Sequence, residues 1–325
     1  MLMLALVAPL GHAQNAAEAP TTVTIGAYIN DIQAIDLRTH SYGVDLYVWF
    51  RWSDPDIDPT ETFEFINLFD PEAHVEDVLY DEPQPQPDGS LYQLIRHQGL
   101  FTTKFPVQRY PFDAQKLLVA LEDAEDGSES FQFVLDEVPL TLNPEVTLPG
   151  YDIGEAFAIV RDKPYPTAFG DLAEPDVSAY SRVEFMVPIR HPVVAGVFKS
   201  LIPVLLIILS AAFALLLDPE HVEARIGLAI TALLTLVAMQ FTMLAGLPEV
   251  AYLTLLDQIF LASYGYILVV IGLVVRGTRT DEKGAIQGGA GSLSRLVDSG
   301  PPSAAVATFG YLGVVAVILW WNLSG

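Results

Sequence analysis

The chain has 325 residues, of which 51% are apolar and only 17% are charged, and its mean hydropathy is +0.38. This hydropathy is high for a water-soluble protein of this length and predicts a membrane protein. The formal net charge of -24 is concentrated at the front, because residues 1–192 hold 32 Asp and Glu against 10 Lys and Arg, whereas residues 193–325 hold 8 against 6. An acidic surface repels phosphate backbones and so disfavours nucleic-acid binding. The absence of cysteine excludes disulfides, thiolate zinc sites and cysteine nucleophiles.

The first thirteen residues form an apolar run, MLMLALVAPLGHA, with the small residues Gly11 and Ala13 at its end. Small residues at this place are typical of a cleaved export signal, although no basic flank precedes the run. We therefore expect residues 1–13 to be a signal peptide, the alternative being a simple hydrophobic terminus.

From residue 21 to about 190, short apolar and polar stretches alternate and are punctuated by Pro, Gly and Asp, a pattern typical of β-strands. Seven or more strands in a segment of this length predict a sandwich rather than alternating strands and helices. We expect an all-β, immunoglobulin-like sandwich over residues 21–192, with loops at 80–89 and 164–179. The clearest strands are predicted at 22–35, 44–52, 90–97, 116–121, 131–135, 151–160 and 183–189.

Four apolar runs follow, and each can cross a bilayer as a helix, since ~20 helical residues cover ~30 Å. The helices are predicted at about 193–217, 222–245, 250–275 and 304–323 in a transmembrane domain that spans residues 193–325. The first two must be antiparallel neighbours because only four residues separate them. The linker 276–303 carries Arg276, Arg279, Lys283 and Arg295, so the positive-inside rule predicts that it is cytoplasmic. Both the sandwich and the C-terminus then lie outside, which agrees with an export signal.

The second apolar run differs from the other three because Glu223 and Arg225 stand at its start and Thr231, Thr235 and Thr242 share one helical face. Ionisable groups at the end of a membrane helix mark a cavity or an ion path. The alternative is that the charges merely reach the interface and the threonines bond backbone carbonyls. If the face is wet, a ring of subunits with cyclic symmetry is implied, in which about five copies of Glu223 would favour cations.

The segment FPVQRYPFDAQ at residues 105–115 resembles the signature loop of the pentameric ligand-gated ion channels, the Cys-loop receptor superfamily. Thr103 and Leu117 stand where animal members place two bridged cysteines, as is usual in the prokaryotic branch. The resemblance covers roughly residues 21–325, and it implies a homopentamer around a central pore, in a bacterial inner membrane, with the sandwich in the periplasm. Further matches in chain order are WSD at 52–54, Arg190, Pro203, LP at 247–248 and YLT at 252–254.

The resemblance also implies which side chains line the pore. Glu223 matches the selectivity position of cation-conducting members, where anion-conducting members typically carry a Pro-Ala insertion. Leu234 matches the mid-pore apolar ring that gates by dewetting, and Phe241 is either a second gate or a packing residue. The implied pore residues are Glu223, Gly227, Thr231, Leu234, Ala238, Phe241 and Ala245.

By the same resemblance, three contacts at the membrane face couple the outer domain to the pore. Asp113 and Arg190 are the expected ion pair, and Asp36 in the first hairpin turn is a candidate third member. These residues would act on the loop 246–251, which carries Pro248. The alternative for Asp113 is a turn-capping aspartate.

The agonist pocket of the family is an aromatic box, and little of it is kept. Tyr47 stands at one of its positions, and Tyr165, Phe169 and Tyr180 in the late loop are further candidates. The usual Trp-x-Pro motif is absent, and an acidic run follows the signature loop where a tryptophan is often found. An amine neurotransmitter is therefore not carried over as the ligand.

Two acidic clusters remain, and they offer the hard oxygen ligands that Ca²⁺ takes. Crowded carboxylates also raise one another's pKa, so the clusters are alternative proton sensors, or a solvated rim that concentrates cations. The cluster around Asp54 is not an EF-hand, since Pro59 stands where the turn glycine belongs and Phe65 where the bidentate Glu belongs. The clusters are Glu122, Asp123, Glu125 and Asp126, and Asp54, Asp56 and Asp58 with Glu61.

The sequence thus predicts a gated, cation-selective channel whose extracellular signal is a proton, Ca²⁺ or a small cationic ligand. We expect no obligatory cofactor, Ca²⁺ as a candidate modulator, and no enzymatic activity, since no HExxH, G-x-S-x-G or P-loop motif occurs. The expected partners are copies of the same chain, membrane lipids and the permeating cations. The alternative is a non-conducting membrane receptor or accessory subunit with the same fold.

Overall fold

The computed structural model describes residues 19–170, 178–218, 220–286 and 301–324. The expected signal peptide and about half of the expected cytoplasmic linker, residues 287–300, lie outside the described residues. Within them, the front of the chain is built from strands and the rest from long helices.

The strands form two sheets that pack face to face. The first sheet has the order β4-β6-β2-β1-β8, with β5 also paired to β6, and the second has the order β10-β11-β7-β3, with β9 paired to β11. The predicted β-sandwich is therefore confirmed. The elements are β1 Thr21–Asp36, β2 Ser41–Trp52, α1 Pro59–Thr62, β3 Phe63–Phe65, β4 Val75–Val78, β5 Gln84–Pro85, β6 Leu91–Thr102, β7 Ala114–Asp123, β8 Phe131–Leu142, β9 Asp152–Ile153, β10 Phe157–Tyr165 and β11 Ser178–Arg190.

Period-two alternation of side chains builds the core between the sheets. Along β2, Val44, Leu46, Val48, Phe50 and Trp52 are all buried, and the residues between them are partly exposed. This is the pattern of a strand with one face on the core and one towards solvent. The observed strands are mostly longer than predicted.

Tyr42 joins the two sheets by hydrogen bonds. Its hydroxyl accepts from the backbone N of Leu118 in β7 at 2.8 Å and donates to the backbone O of the same residue. Asn67 reinforces the link, because its side-chain amide donates to Leu118 O at 2.6 Å and accepts from Ala120 N at 2.9 Å. Burial raises the pKa of Tyr42, so its hydroxyl stays protonated.

Among the described residues, four helices are long and apolar enough to cross a membrane, which is the architecture of a multi-pass membrane protein. The first, Val193–Leu216, contains a π-helical turn at Val197–Leu201 between its two α-helical parts. The helices are α2 Val193–Gly196, α3 Ile202–Leu216, α4 Val222–Leu244, α5 Leu255–Ile286 and α6 Pro301–Leu323.

The bounds of α5 and α6 differ from the predicted ones. Helix α5 begins at Leu255 rather than at 250, because Thr254 and Asp257 cap its first turn. Asp257 Oδ2 accepts a hydrogen bond from Thr254 N at 3.0 Å, and Thr254 Oγ1 accepts one from Asp257 N at 3.1 Å. It continues to Ile286, past the apolar run, because polar residues without proline sustain a helix in water. Helix α6 begins at Pro301 rather than at 304, since proline suits a first helical turn.

The helices pack around a second core in which small residues allow close approach. Ala211 and Ala214 of α3 and Ala229 and Ala232 of α4 are buried there. Arg225 of α4 is also fully buried, and its Nε donates to Ala214 O at 2.8 Å. The sequence places this guanidinium at the mouth of the helix, whereas in the structure it faces a neighbouring helix.

Replacing Tyr42 with Phe should destabilise the sandwich, because the buried Leu118 N–H loses its acceptor. The expected loss is about 1–3 kcal/mol of unfolding free energy. Thermal unfolding of the purified full chain, followed by near-ultraviolet circular dichroism, measures it. Tyr28→Phe on β1 is the matched control; an equal loss in both variants would contradict the role of the Tyr42 hydroxyl.

Candidate functional site

One face of α4 is exposed along the whole helix. All seven residues of the expected pore face are exposed in the single chain, and the opposite face, which includes Arg225, Ala229, Ala232 and Leu236, is buried. The exposed side chains of Leu234 and Phe241 are the largest on this face, with 65% and 75% of their area accessible. The exposed residues recur every three or four positions, as one face of a helix must.

The exposed face of α4 differs in composition from that of α6. Helix α6 exposes large apolar side chains, among them Val306, Phe309 and Trp320, as a helix against lipid does. Helix α4 instead exposes a carboxylate, three threonines and several small residues, together with three large apolar side chains, Ile230, Leu234 and Phe241. A carboxylate and a hydroxyl on an exposed membrane-helix face suit contact with water rather than with lipid.

Two of the three threonines on α4 bond their own helix. Thr235 Oγ1 donates to Thr231 O at 2.8 Å, and Thr242 Oγ1 donates to Ala238 O at 3.0 Å. The alternative that the sequence left open, threonines bonded to backbone carbonyls, therefore describes these two residues. Thr231, the one threonine of the expected pore face, is exposed.

The signature segment 105–115 rests directly on the helices. Gln108 O accepts from the backbone N of Leu255, the first residue of α5, at 2.7 Å. Phe112 packs against the helical core, and Gly196 of α2 lies so close that a Cβ there would come within 3.0 Å of Pro111 O and 3.1 Å of Phe112 Cε1. The segment thus joins the base of the sandwich to both α2 and α5.

The loop after α4 enters the base of the sandwich. Leu247 is only 9% exposed and belongs to the core of the sandwich rather than to that of the helices. Pro248 is buried beside it, and Leu244 and Val250 pack on the same core. The loop that follows α4 is therefore packed against the base of the sandwich. The sequence motif at 247–248 marks this loop but does not reveal where its leucine is buried.

The expected ion pair between Asp113 and Arg190 is wrong. Asp113 is buried and lies 3.0 Å from His191 Nδ1, and it also accepts from the side-chain amide of Gln115. Arg190 instead lies 3.5 Å from Asp152, and 73% of its side chain is exposed. The reason is the alternation of strand side chains: Arg190 is the last residue of β11 and pairs with Asp152, so the next residue turns towards Asp113.

His191 was missed because a single histidine after a strand carries no sequence signal. Its ring packs edge to face on Tyr110, with ring centroids 5.5 Å apart, and lies 4.4 Å from the ring of Tyr151. It therefore sits between the signature segment and the loop before β9.

Asp36 does not join this group of contacts among the described residues. Its Oδ1 accepts from the backbone N atoms of Arg38 and Thr39 and so caps the first hairpin turn. These backbone bonds and the Thr39 side chain outweigh partial burial, and the pKa of Asp36 is lowered.

Three of the four expected ligand-site aromatics come together. The ring of Tyr165 lies 5.5 Å from that of Phe169 and 5.8 Å from that of Tyr180. Together with Glu64, Glu122 and Asp123 they line a cavity of about 380 Å³. The floor is held by an ion pair between Glu122 and Arg182, and the Tyr165 hydroxyl bonds both partners.

Tyr47 lies elsewhere, on β2 of the first sheet. Its ring is 6.4 Å from that of Tyr28, and the guanidinium of Arg96 lies 5.4 Å above it. Tyr47 therefore does not contribute to the Tyr165 cavity within one chain.

The expected calcium clusters are used mainly as turn caps in the single chain. Asp123 accepts from the backbone N atoms of Glu125 and Asp126, and Asp58 accepts from Thr60 N. Asp54 accepts from Asp56 N in the same way. In the part of the chain that the structure describes, neither cluster brings three ligand atoms within 4.8 Å of one another.

Comparisons with known proteins agree with this architecture, although no protein-family model matches the chain. A proton-gated ion channel of Gloeobacter violaceus is 23% identical over 269 residues, which are 78% of this chain and 72% of the relative. Ligand-gated ion channel 50 of Caenorhabditis elegans is 21% identical over 80% of this chain and 56% of the relative. The human glycine receptor subunit beta is 22% identical over 79% of this chain and 55% of the relative. The chain thus spans little more than half the length of the animal relatives it matches.

The sandwich, the four membrane-length helices of the described residues and these similarities support assignment to the ligand-gated channel class. Within that class, the chain is similar to the pentameric ligand-gated ion channels, the Cys-loop receptor superfamily. Because the relatives are ion channels, the prediction that the chain is not an enzyme is confirmed.

Replacing Asp113 with Ala should be far more damaging than replacing Arg190 with Ala. The first change removes the acceptor of one N–H of the buried Gln115 amide, which keeps its bond to Pro106 O, and the partner of the partly buried His191 ring, at roughly 1–3 kcal/mol each. The second removes an exposed pair worth about 0–1 kcal/mol. Thermal unfolding of the two full-length variants checks this. Equal losses of unfolding free energy would contradict the assignment of His191, rather than Arg190, as the partner of Asp113.

Proposed function

We propose that the chain forms a homopentameric, ligand-gated cation channel whose pore is lined by the exposed face of α4. The observation that carries this proposal is the composition of that face, with one carboxylate, threonines, small residues and three large apolar side chains. Such a face is costly against lipid and suits a water-filled channel. A single helix cannot enclose water, so five copies around an axis supply the rest of the wall.

The proposed selectivity filter is the ring of Glu223 side chains at the start of α4. Five carboxylates at a narrow mouth concentrate cations and repel anions. The absence of the Pro-Ala insertion supports this assignment by resemblance, although glycine receptor and acetylcholine-gated chloride channel subunits are also among the relatives.

The proposed gate is the ring of Leu234, about 16 Å along the helix from Glu223, with Phe241 about 10 Å further on. Apolar rings of this kind close a pore by expelling water. The signal passes from the sandwich through the signature segment and Leu247 to the end of α4, near Ala245. Asp113, His191 and Pro248 hold that joint, whereas the described contacts of Arg190 and Asp36 lie outside it.

The proposed location is a bacterial inner membrane, with the sandwich and the C-terminus on the periplasmic side.

We propose a small organic cation as the signal, held by Tyr165, Phe169 and Tyr180 above the acidic floor of their cavity. Aromatic faces and carboxylates attract cations by the same electrostatics. Protons and Ca²⁺ remain the alternative signals, and a non-conducting receptor of the same fold remains the alternative function.

Replacing Glu223 with Gln should weaken cation selectivity, because the charge ring at the mouth is lost. The measurement is the reversal potential of the current from purified protein in planar bilayers under a salt gradient. The matched control is Glu220→Gln, an equal charge change in the exposed turn before α4, which should leave the reversal potential nearer to the wild-type value. Equal shifts in both variants would remove Glu223 as the filter.

If the wild-type protein carries no current, Leu234→Ser is tested, because serine allows water to enter the proposed gate. We expect this variant to conduct without any signal, since a polar ring no longer expels water. Absence of current from Leu234→Ser in every bilayer would favour the non-conducting receptor.

The ligand proposal predicts that Phe169→Ala and Tyr180→Ala each weaken the response to tetramethylammonium added on the sandwich side. A lost cation–π contact costs about 0.5–2 kcal/mol, which is a roughly 2- to 30-fold higher half-maximal concentration. Phe69→Ala, an equally drastic change at another exposed phenylalanine, is the control. If tetramethylammonium has no effect but steps of pH or Ca²⁺ evoke current, the signal is one of the two alternatives.

A further inference from the structure

Three side chains with metal-binding chemistry converge at the edge of the first sheet. His97 lies on β6, Glu76 lies opposite it on the edge strand β4, and His74 stands just before β4. His74 Nε2 is 3.2 Å from His97 Nδ1, and Glu76 Oε2 is 3.9 Å from that same Nδ1. Among the described residues, this is the one group of histidines and carboxylates whose ligand atoms all lie within 4.8 Å.

The spacing of the two histidine nitrogens suits two ligands of one ion. Zinc binds imidazole nitrogen at ~2.0–2.1 Å in tetrahedral geometry, which separates two such nitrogens by about 3.3 Å. The observed 3.2 Å therefore fits a shared ion as well as it fits a hydrogen bond between the rings.

Packing alone does not account for this histidine pair. His97 is fully buried, and its ring meets the ring of Phe65 edge to face at 4.8 Å and that of Phe63 at 5.6 Å. The outer nitrogens, His74 Nδ1 and His97 Nε2, are buried without a hydrogen-bond partner. Apolar side chains would fill the same space without burying unpaired polar atoms, which cost free energy.

The backbone beside His74 leaves space for its ring. Gly99 makes room for His74, since a Cβ at that position would lie 2.7 Å from His74 Nδ1.

An acidic cavity gives access to the group. A cavity of about 830 Å³ is lined by His74 and Glu76 and also by Glu61, Glu64 and Asp81. Clustered carboxylates raise the local concentration of cations. The same opening admits water as a fourth ligand.

We propose that His74, His97 and Glu76 bind one divalent transition-metal ion per chain, with zinc as the ion that two imidazoles, a carboxylate and a water suit best. The bound ion ties the edge strand β4 to β6 and so stiffens this edge of the sandwich. Unlike the calcium clusters predicted from the sequence, this site takes nitrogen as well as oxygen ligands.

The test is zinc titration of the purified full-length chain in detergent, by calorimetry, with any polyhistidine tag removed. Wild type is expected to bind one zinc ion per chain and to unfold at a higher temperature with zinc present. His74→Gln and Glu76→Gln are each expected to weaken binding more than about tenfold. Asp77→Asn, the same charge change one residue along β4, is the matched control and should bind zinc like wild type.

Cobalt(II) provides a second readout, because a tetrahedral site with nitrogen ligands gives it an intense visible absorption that zinc abolishes by displacement. Equal zinc binding by wild type and His74→Gln would overturn the proposal and leave a simple hydrogen bond between the histidines. Equal weakening by Glu76→Gln and Asp77→Asn would reduce the effect to the general attraction of an acidic surface. Neither readout uses current, so this result is independent of the channel proposal.

Discussion

The burial of Leu247 in the base of the β-sandwich is the contact on which the joining of the two halves depends. This leucine follows α4 directly, yet it belongs to the outer core, and the next helix starts with a backbone bond from Leu255 to Gln108 of the signature segment. The end of α4 is therefore fixed to the sandwich at two points rather than to its neighbouring helices alone. Close-packed cores have few intermediate arrangements, so in the proposed channel such a joint would pass on discrete displacements rather than gradual ones.

Helix α4 has two faces with opposite requirements. The buried face uses alanines and the enclosed Arg225 to pack closely on α3, and it fixes the rotation of the helix. That rotation leaves Glu223 and Thr231 on the exposed side, where lipid cannot hydrate them. In the proposed pentamer, water between the copies would hydrate these polar residues. Arg225 would then contribute to the proposed pore indirectly, by setting which residues of α4 face away from α3.

The sequence predicts the sandwich and the four helices because both rest on local periodicity, which the alternation in β2 and the apolar run of α4 display directly. The sequence does not predict contacts that would change if a strand were shifted by one residue. Asp113 meets His191 rather than Arg190 because adjacent residues at a strand end face opposite sides. Tyr47 is similar: its aromatic character is visible, but the sheet to which its strand belongs is not. Helix ends are missed where capping, as by Thr254 and Asp257, rather than hydropathy decides them.

Acidic residues of the sandwich stabilise its fold through ion pairs and hydrogen bonds. Asp45 shows this most clearly, because its bidentate bond to Arg96, supported by Asn30 and Gln98, lowers its pKa. A carboxylate whose folded-state pKa lies below its unfolded value stabilises the fold above the unfolded value and loses that contribution only as the pH falls through the lowered one. Mild acidification therefore leaves the link between β2 and β6 intact. A proton signal would therefore have to act through carboxylates outside such pairs.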